Sequence, residues 1–246
     1  MHIPHSSLYI PSHYRSSIIL SDKELNIELI KMTDLYCDIL FNAPYTTIVF
    51  PLSRLICDVE RFRDDKDEIM SSKGMGVIYT LTSDNKILKN IDNLNKEEIL
   101  NKFYDIHHKK LEDYVTNYLD NYNQCLIIDC HSFASKPLPY ELNQNKHRPD
   151  FCIGTDDFHT PGELSLTAAE FLTTKGFKVK MNEPFSGTIV PIAYYKTNKK
   201  VSSIMKEVNR RLYMNEETGE KIPEFNDTKN VLQQLINIFK EHVKTY

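Results

Sequence analysis

The sequence predicts an α/β protein in which a layered sheet and its helices form a single domain over residues 1–246. Runs rich in β-branched residues alternate with segments whose apolar residues recur at helical spacing. The run CLIID at 125–129 is almost continuously apolar, which is typical of a strand buried on both faces. No internal repeat and no linker rich in Pro, Gly or Ser divides the chain.

The first half of the chain is predicted to open with a strand of two or three residues. A helix over 21–41 follows, because Ser21 with Glu24 three residues later is a capping pattern and the apolar positions then keep helical spacing. The next predicted elements are one or two strands within 45–58, a long amphipathic helix over 95–122 and a central buried strand over 124–133.

The second half continues the alternation. A helix over 162–176 is predicted to close on Gly176, a residue that tolerates the left-handed backbone after a helix. The remaining predictions are a strand, a turn and a second short strand within 177–191, a strand running into a helical segment over 202–222, and a helix over 228–246.

Composition and charge exclude several classes of function. The net charge is −4 with no arginine-aromatic stripe, which argues against nucleic acid as a partner. No apolar run approaches the roughly 20 residues that span a bilayer, and the amino terminus does not resemble a signal peptide. The five cysteines show no paired spacing and are predicted to be buried, reduced thiols. Together these features predict a cytoplasmic protein without a membrane partner.

Three predicted strands end in side chains that bind metal ions or carry protons. His5 follows the first strand, His131 ends the run 124–133, and Glu207 lies near the end of a third strand. Ligands of layered α/β sheets gather at the carboxyl ends of strands. Separated histidines and carboxylates suit a catalytic zinc ion, which takes three protein ligands and keeps a fourth position for water. Glu207 would then carry the proton of that water.

The carboxylate ligand is left open between Asp34 and Asp38. The two aspartates are one turn apart in the predicted helix and would share a face, and apolar neighbours mark the adjacent face as buried. A solvent-facing pair is the alternative interpretation. Each histidine is also compatible with a hydrogen-bonded structural role, and His5 with a frayed terminus.

A second polar cluster, SRLICDVERF, is a candidate for binding an acidic substrate. Arg54 and Arg61 could each hold a carboxylate through the two parallel hydrogen bonds that a guanidinium offers. The alternative is that either arginine pairs internally with Asp58. Gly187 lies between two predicted strands, where a glycine permits a tight turn or the close approach of a ligand.

Seven segments in order, HIPHSS, DLYCD, SRLICDVERF, DCHSF, RPDFCIGT, NEPFSGTIVP and EVNRRLYM, resemble the N-formylglutamate amidohydrolase family. The resemblance covers most of the chain, from His2 to about Tyr213. It implies a fold similar to the zinc carboxypeptidases and the zinc-dependent cell-wall amidases: a three-layer α/β/α arrangement around a mixed, mostly parallel, twisted sheet.

The resemblance also implies roles for individual residues. His5, Asp34 and His131 would bind one divalent ion, expected to be Zn²⁺, with Asp38 as the fallback for Asp34. Glu207 resembles the late glutamate that acts as general base and acid. Further candidates are Asn182 and Gly187 for substrate binding, and Asp58, His108 and Ser132 without an assigned role.

Two positions depart from the family pattern. Glu60 stands where an asparagine is common, and Ser7 replaces a frequent glycine. Both departures bear on the identity of the substrate more than on the fold or the metal. The expected reaction is hydrolysis of a small N-acyl, in the family N-formyl, acidic amino acid.

Two other functions compete with this expectation. One is a zinc amidase or carboxypeptidase-like enzyme that acts on a peptide or a peptidoglycan fragment. The other is a metal-free binding or scaffolding module that keeps the fold without the chemistry. Retention of His5, His131 and Glu207 argues against the scaffold. The oligomeric state is not predicted by the sequence.

Overall fold

The computed structural model describes residues 1–91 and 94–244. Its strands are β1 (His2–Ile3), β2 (Ile48–Val49), β3 (Cys125–Phe133), β4 (Phe151–Gly154), β5 (Val179–Met181) and β6 (Val201–Asn209). They form a six-stranded sheet in the order β2-β1-β3-β6-β4-β5.

The helices precede, separate and follow the strands. They are α1 (Ser12–Arg15), α2 (Asp22–Met32), α3 (Cys37–Leu40), α4 (Lys96–Ile99), α5 (Asp105–Tyr122), α6 (Gly162–Thr174) and α7 (Phe225–Lys244). A π-helical turn, Leu100–Tyr104, joins α4 to α5, and two 3₁₀ turns lie at Ile69–Lys73 and Arg210–Leu212. Residues 245–246 of the predicted last helix lie outside the described residues.

The sheet is mixed and mostly parallel, as the sequence predicts. Strands β2, β1, β3 and β6 are parallel to one another, whereas β4 is antiparallel to β6 and parallel to β5. The carboxyl ends of β1, β3 and β6 therefore meet at one edge of the sheet. This edge carries the candidate site.

Helices cover both faces of the sheet, so the predicted three layers are confirmed. Successive residues of a strand point to opposite faces. Ile128 and Cys130 of β3 pack in the main core with residues of α3, α6 and α7. Ile127 points the other way and packs in a smaller cluster with Val115 of α5.

The predicted helix over 21–41 is two helices with a break between them. The capping box at Ser21 and Glu24 forms as predicted. Helix α2 ends at Met32, since Thr33 has an extended backbone with φ −93° and ψ 137°. Tyr36 has a left-handed φ of 67° just before α3. The prediction that Asp34 and Asp38 share a helical face is therefore wrong, because Asp34 lies in the break.

The region 45–58 contains less strand than predicted. Within the described residues it contributes β2, and residues 50–58 continue as loops and turns. Leu55, Ile56 and Cys57, whose apolar character suggested a strand, are fully buried in a cluster built from loops and helices. Burial in this cluster therefore explains why these residues are apolar, although they do not form a strand.

The region 177–191 also differs from its prediction. Strand β5 is present, but the second short strand does not form among the described residues. The backbone of Ile189 bonds to side chains instead: its nitrogen donates to Asp129 at 3.3 Å, and its carbonyl oxygen accepts from the Ser203 hydroxyl at 2.7 Å. Helix α6 does end as predicted, with Gly176 at a φ of 89°.

The structure also describes the cysteines and the apolar character of the helices. All five cysteines are free and buried. Within residues 1–91 and 94–244, no helix combines the length and the apolar character needed to cross a bilayer.

Candidate active site

A polar cavity of about 350 Å³ opens at the edge where β1, β3 and β6 end. This is the position at which α/β sheets bind ligands. Its walls include most of the polar side chains that the sequence singled out: His5, Asp34, Arg54, Arg61, His131, Ser132 and Glu207. Glu60, Tyr140 and Arg210 also line it.

Two histidines and one aspartate converge at the floor of the cavity. His5, Asp34 and His131 each offer one ligand atom, and these atoms lie within 4.8 Å of one another. Asp34 Oδ2 is 3.7 Å from His5 Nδ1 and 3.4 Å from His131 Nδ1. All three side chains are buried.

The local backbone explains why Asp34 reaches the histidines. Its nitrogen donates to the carbonyl oxygen of His5 at 2.9 Å, which ties the break after α2 to the end of β1. The extended Thr33 and left-handed Tyr36 turn the chain at this point. Asp38 is exposed on α3, so the structure brings Asp34 and not Asp38 to the histidines.

A carboxylate stands behind each of the two imidazoles. His5 Nε2 donates to Asp58 Oδ1 at 2.7 Å, and His131 Nε2 donates to Asp129 Oδ1 at 3.0 Å. Partners of this kind fix the tautomer of a metal-binding histidine and leave its other nitrogen free to ligate. In both residues the free nitrogen is the Nδ1 atom that faces Asp34.

A buried arginine orients the aspartate of the group. Arg210 Nη2 donates to Asp34 Oδ1 at 2.8 Å, which leaves Oδ2 facing the histidines. Arg210 Nε donates to the Ser132 hydroxyl at 3.2 Å. Burial would raise the pKa of Asp34, but the neighbouring imidazoles of His131 and His5 and the charge of Arg210 hold it well below its usual range. Asp34 is therefore an ionised ligand candidate.

The unpaired atoms of this group fit a divalent ion. Within the described part of the chain, His5 Nδ1 and Asp34 Oδ2 are buried without a hydrogen-bond partner. Leaving such an atom unpaired costs about 1–3 kcal/mol. Ligands held at 2.0–2.1 Å around a tetrahedral zinc ion lie about 3.3 Å apart. The separations of 3.7 and 3.4 Å are close to that spacing.

Glu207 lies beside this group, directly opposite His131 in the pairing of β6 with β3. Both side chains therefore leave the sheet on one face. Glu207 Oε2 is buried and lacks a hydrogen-bond partner among the described residues. Burial raises the pKa of Glu207 to about 8, against the opposing effect of His131. A carboxyl that exchanges its proton near neutral pH is suited to proton transfer.

Two guanidinium groups form one wall of the cavity. Arg54 donates from Nε to the Tyr79 hydroxyl at 2.9 Å and from Nη2 to Asp58 Oδ2 at 2.7 Å. Arg61 donates from Nε to the carbonyl oxygen of Met75 at 3.1 Å and lies 3.8 Å from Asp58 Oδ2. Arg54 and Arg61 thus line the cavity and also face Asp58, so the two alternatives for these arginines are both present. At this wall, one aspartate faces two arginines.

Three predicted candidates lie away from the ligand group. His108 Nε2 lies 2.9 Å from the carbonyl oxygen of Val59, outside the residues that line the cavity. Asn182 is exposed and bonds to Thr155 through both side-chain atoms, at 2.9 and 2.8 Å. Gly187 has a φ of 87°, in the left-handed region, and is likewise not among the lining residues. Their predicted roles remain untested.

The sequence assigns no role to the residues that hydrogen-bond to the candidate ligands, which are Asp58, Asp129 and Arg210. Asp129 carried a usable signal, since its position two residues before His131 in a strand puts both on one face. No sequence pattern identified four residues near the site, because their contacts depend on the packing of distant segments. These residues are Arg210, His2, His107 and Tyr79.

The protein has a polar cavity at the carboxyl ends of parallel strands, where imidazoles and carboxylates converge. These features are typical of α/β enzymes, which bind their substrates at this edge of the sheet. Residues 1–214 match the family model for N-formylglutamate amidohydrolase, and the chain belongs to that family. It is a family of hydrolases that act on amide bonds. A search of curated proteins gave no match.

Two solved structures share the fold. An N-formylglutamate amidohydrolase from Ralstonia eutropha has a TM-score of 0.83 at 20% identity, with 99% of this chain and 93% of that chain covered. A gene product from Agrobacterium tumefaciens has a TM-score of 0.64 at 14% identity, with 98% and 89% covered. At these identities the likeness concerns the fold.

Proposed function

We propose that the protein is a metal-dependent amidohydrolase that cleaves the formyl amide of an N-formyl acidic amino acid such as N-formylglutamate. The observation that carries the proposal is the convergence of His5, Asp34 and His131 within 4.8 Å, inside a cavity lined by Glu207. Membership of the N-formylglutamate amidohydrolase family supports the choice of reaction.

His5, Asp34 and His131 would hold the ion through Nδ1, Oδ2 and Nδ1. A zinc ion bound there lowers the pKa of water toward about 7 and polarises the carbonyl oxygen of the amide. The residues behind the ligands keep these atoms directed inward: Asp58 behind His5, Asp129 behind His131 and Arg210 behind Asp34. With the ion bound, the chain would supply two neutral imidazole ligands and one anionic carboxylate ligand.

Glu207 is the proton carrier in this proposal. Its unpaired Oε2 accepts the proton of the attacking water and then delivers it to the amide nitrogen as the carbon–nitrogen bond breaks. Burial, which raises the pKa of Glu207 to about 8, keeps its proton affinity close to that needed near neutral pH. The products are formate and the free amino acid.

Arg54 and Arg61 hold the carboxylates of the substrate. Arg54 is fixed by Asp58 and Tyr79, so its guanidinium is oriented before the substrate arrives. Arg61 is less constrained, with its side chain 20% exposed. Charge-assisted hydrogen bonds from both arginines would hold the substrate carboxylates, and this would orient the formyl group toward Glu207.

A cavity of about 350 Å³ favours a small molecule over a peptide or a peptidoglycan fragment. The five buried, free thiols are compatible with a reducing compartment, so the proposal includes a cytoplasmic location.

The proposal is tested with a panel of N-formyl amino acids, N-acetyl amino acids and short peptides, with release of formate, acetate or a free amino acid as the assay. Metal-free protein is prepared with a chelator and reloaded with Zn²⁺. We expect formate from N-formylglutamate that depends on the added ion. Equal rates with and without the ion would refute metal dependence, and turnover of peptides alone would support the carboxypeptidase-like alternative.

A further inference from the structure

A row of buried side chains continues from His131 away from the cavity. Asp129 Oδ1 lies 3.0 Å from His131 Nε2 and 2.9 Å from His2 Nδ1. The other nitrogen of His2, Nε2, lies 2.8 Å from His107 Nε2. His2 and Asp129 are fully buried and His107 is 5% exposed. The proposed function uses the first two members of this row and leaves His2 and His107 unexplained.

The carboxylate of Asp129 sets the direction of the hydrogen bonds. An ionised carboxylate oxygen can only accept, so both imidazoles donate to Oδ1. The second oxygen, Oδ2, accepts from the backbone nitrogen of Ile189 at 3.3 Å. Glu60 Oε1 lies farther from His2 Nδ1, at 3.2 Å. Asp129 is thus held by three donors.

The Nε2 atoms of His2 and His107 share one proton at 2.8 Å, so they cannot both donate, and burial favours the neutral form of both residues. Burial lowers the pKa of His2, although Asp129 opposes this effect, and burial lowers the pKa of His107 to about 2. A neutral imidazole has one donor and one acceptor nitrogen. Since His2 donates through Nδ1 to Asp129, its Nε2 must accept, and His107 must donate to it through Nε2.

We propose that His2 and His107 are positioning residues for the metal centre. His107 orients His2, His2 orients Asp129, and Asp129 holds His131 in the tautomer that carries the proton on Nε2. The lone pair of His131 Nδ1 then faces Asp34 and His5. The inference rests on the proposed metal site, and it assigns a role to two residues that do not belong to the ligand group of His5, Asp34 and His131.

His108 provides a matched comparison on the same helix. It adjoins His107 on α5 and is partly buried, but its Nε2 lies 2.9 Å from the carbonyl oxygen of Val59 and its ring packs on Tyr104. It takes no part in the row that leads to His131. A purely structural effect of losing an α5 imidazole would appear at both positions.

The test measures the dissociation constant for Zn²⁺ by competition with a chromophoric chelator. Loss of the partner behind a metal-binding histidine typically weakens binding about 10–100-fold. We expect that range for His2→Leu and a smaller loss for His107→Phe. His2→Asn keeps a donor near the position of Nδ1, and His107→Gln keeps one near Nε2, so both should bind within about threefold of the parent. The control His108→Gln should match the parent.

Each outcome separates the two proposals. A parent protein that binds no Zn²⁺ overturns the metal site and the positioning role together. A parent that binds, with folded His2→Leu and His107→Phe variants that bind equally well, overturns the positioning role alone. The same holds if His2→Asn is as weak as His2→Leu, because the donated hydrogen bond would then not matter. If His2→Leu does not fold, the pair His107→Phe and His107→Gln decides the question.

Discussion

Glu207 lies directly opposite His131 across the β3–β6 pairing, so the sheet itself sets the separation between the candidate proton carrier and a candidate ligand. Neighbouring strands of a sheet lie about 4.7–4.9 Å apart, and residues paired across them on one face keep about this spacing. The spacing between Glu207 and His131 is therefore set by the most extensive strand pairing in the fold.

Replacing Glu207 should separate catalysis from metal binding. The variant Glu207→Gln keeps the size of the side chain but cannot take a proton, and Glu207 is not a member of the ligand group. We expect kcat for formate release to fall about 10²–10⁴-fold, the usual contribution of a general base. Zn²⁺ content, measured by elemental analysis, should stay at the parental level. Parental turnover in this variant would remove Glu207 from the mechanism.

The two early aspartates should respond in opposite ways to the same change. Asp34 is buried with an unpaired oxygen that faces His5 and His131, whereas Asp38 is exposed. Asp34→Asn should therefore lose most Zn²⁺ affinity, and Asp38→Asn should keep it. Isothermal titration with Zn²⁺ compares the two variants. A loss of affinity in Asp38→Asn alone would reverse the assignment.

Adjacent arginines offer a second matched pair. Arg210 orients Asp34 from a buried position, while the side chain of Arg211 is 45% exposed and pairs with Asp150. Arg210→Gln should weaken Zn²⁺ binding about 10–100-fold, because the ligand Asp34 loses its orienting partner. Arg211→Gln should bind like the parent. If both variants bind equally well, Arg210 has no part in holding Asp34.

Arg61 should affect the binding of substrate more than the chemical step. A charge-assisted hydrogen bond contributes about 1.5–3 kcal/mol, which corresponds to roughly a 10–100-fold rise in KM for N-formylglutamate in Arg61→Gln. Little change in kcat is expected, since Arg61 does not touch the ligand group. Arg63→Gln is the control, because Arg63 bonds to Asp105 outside the cavity. A fall in kcat at constant KM would contradict the assignment.

Lys89 should make stability depend on pH. It is 4% exposed, its Nζ has no hydrogen-bond partner among the described residues, and burial lowers its pKa from 10.5 to about 7. Burying the charged form costs stability, so the cost is absent above pH 10.5, grows as the pH falls toward 7, and is constant below that.

Lys89→Met should therefore be more stable than the parent at pH 6, by on the order of a few kcal/mol, with a gain that shrinks toward pH 10. The exposed Lys86→Met is the control. Urea unfolding at several pH values measures both variants. A gain that does not vary with pH would show that the charge of Lys89 is not the cause.

The parts of the site that lie at strand ends were predictable, because a strand and the polar residue at its end are adjacent in the sequence. His131 follows a continuous apolar run, Glu207 lies near the end of a predicted strand, and His5 follows the first strand. Asp34 was placed in the correct segment but in the wrong conformation. No Gly or Pro marks the break after Met32, and a left-handed Tyr36 has no signature in sequence.

The residues behind the ligands were not predictable for a different reason. Arg210 meets Asp34 across 176 positions of the chain, and His107 meets His2 across 105. Such contacts arise when α2, α5 and the 3₁₀ turn after β6 pack around the sheet. Helical periodicity places an imidazole on a face of α5 but does not identify its partner.

The nine-residue ladder between β3 and β6 has a consequence for how the protein loses activity. Interior ladders open with close to the free energy of global unfolding, whereas termini and loops open at much lower cost. Amide hydrogens of Ile128 and Met205 should thus rank among the slowest to exchange with deuterium. Gentle heating would loosen the periphery first, and Glu207 and His131 would separate when the whole fold opens.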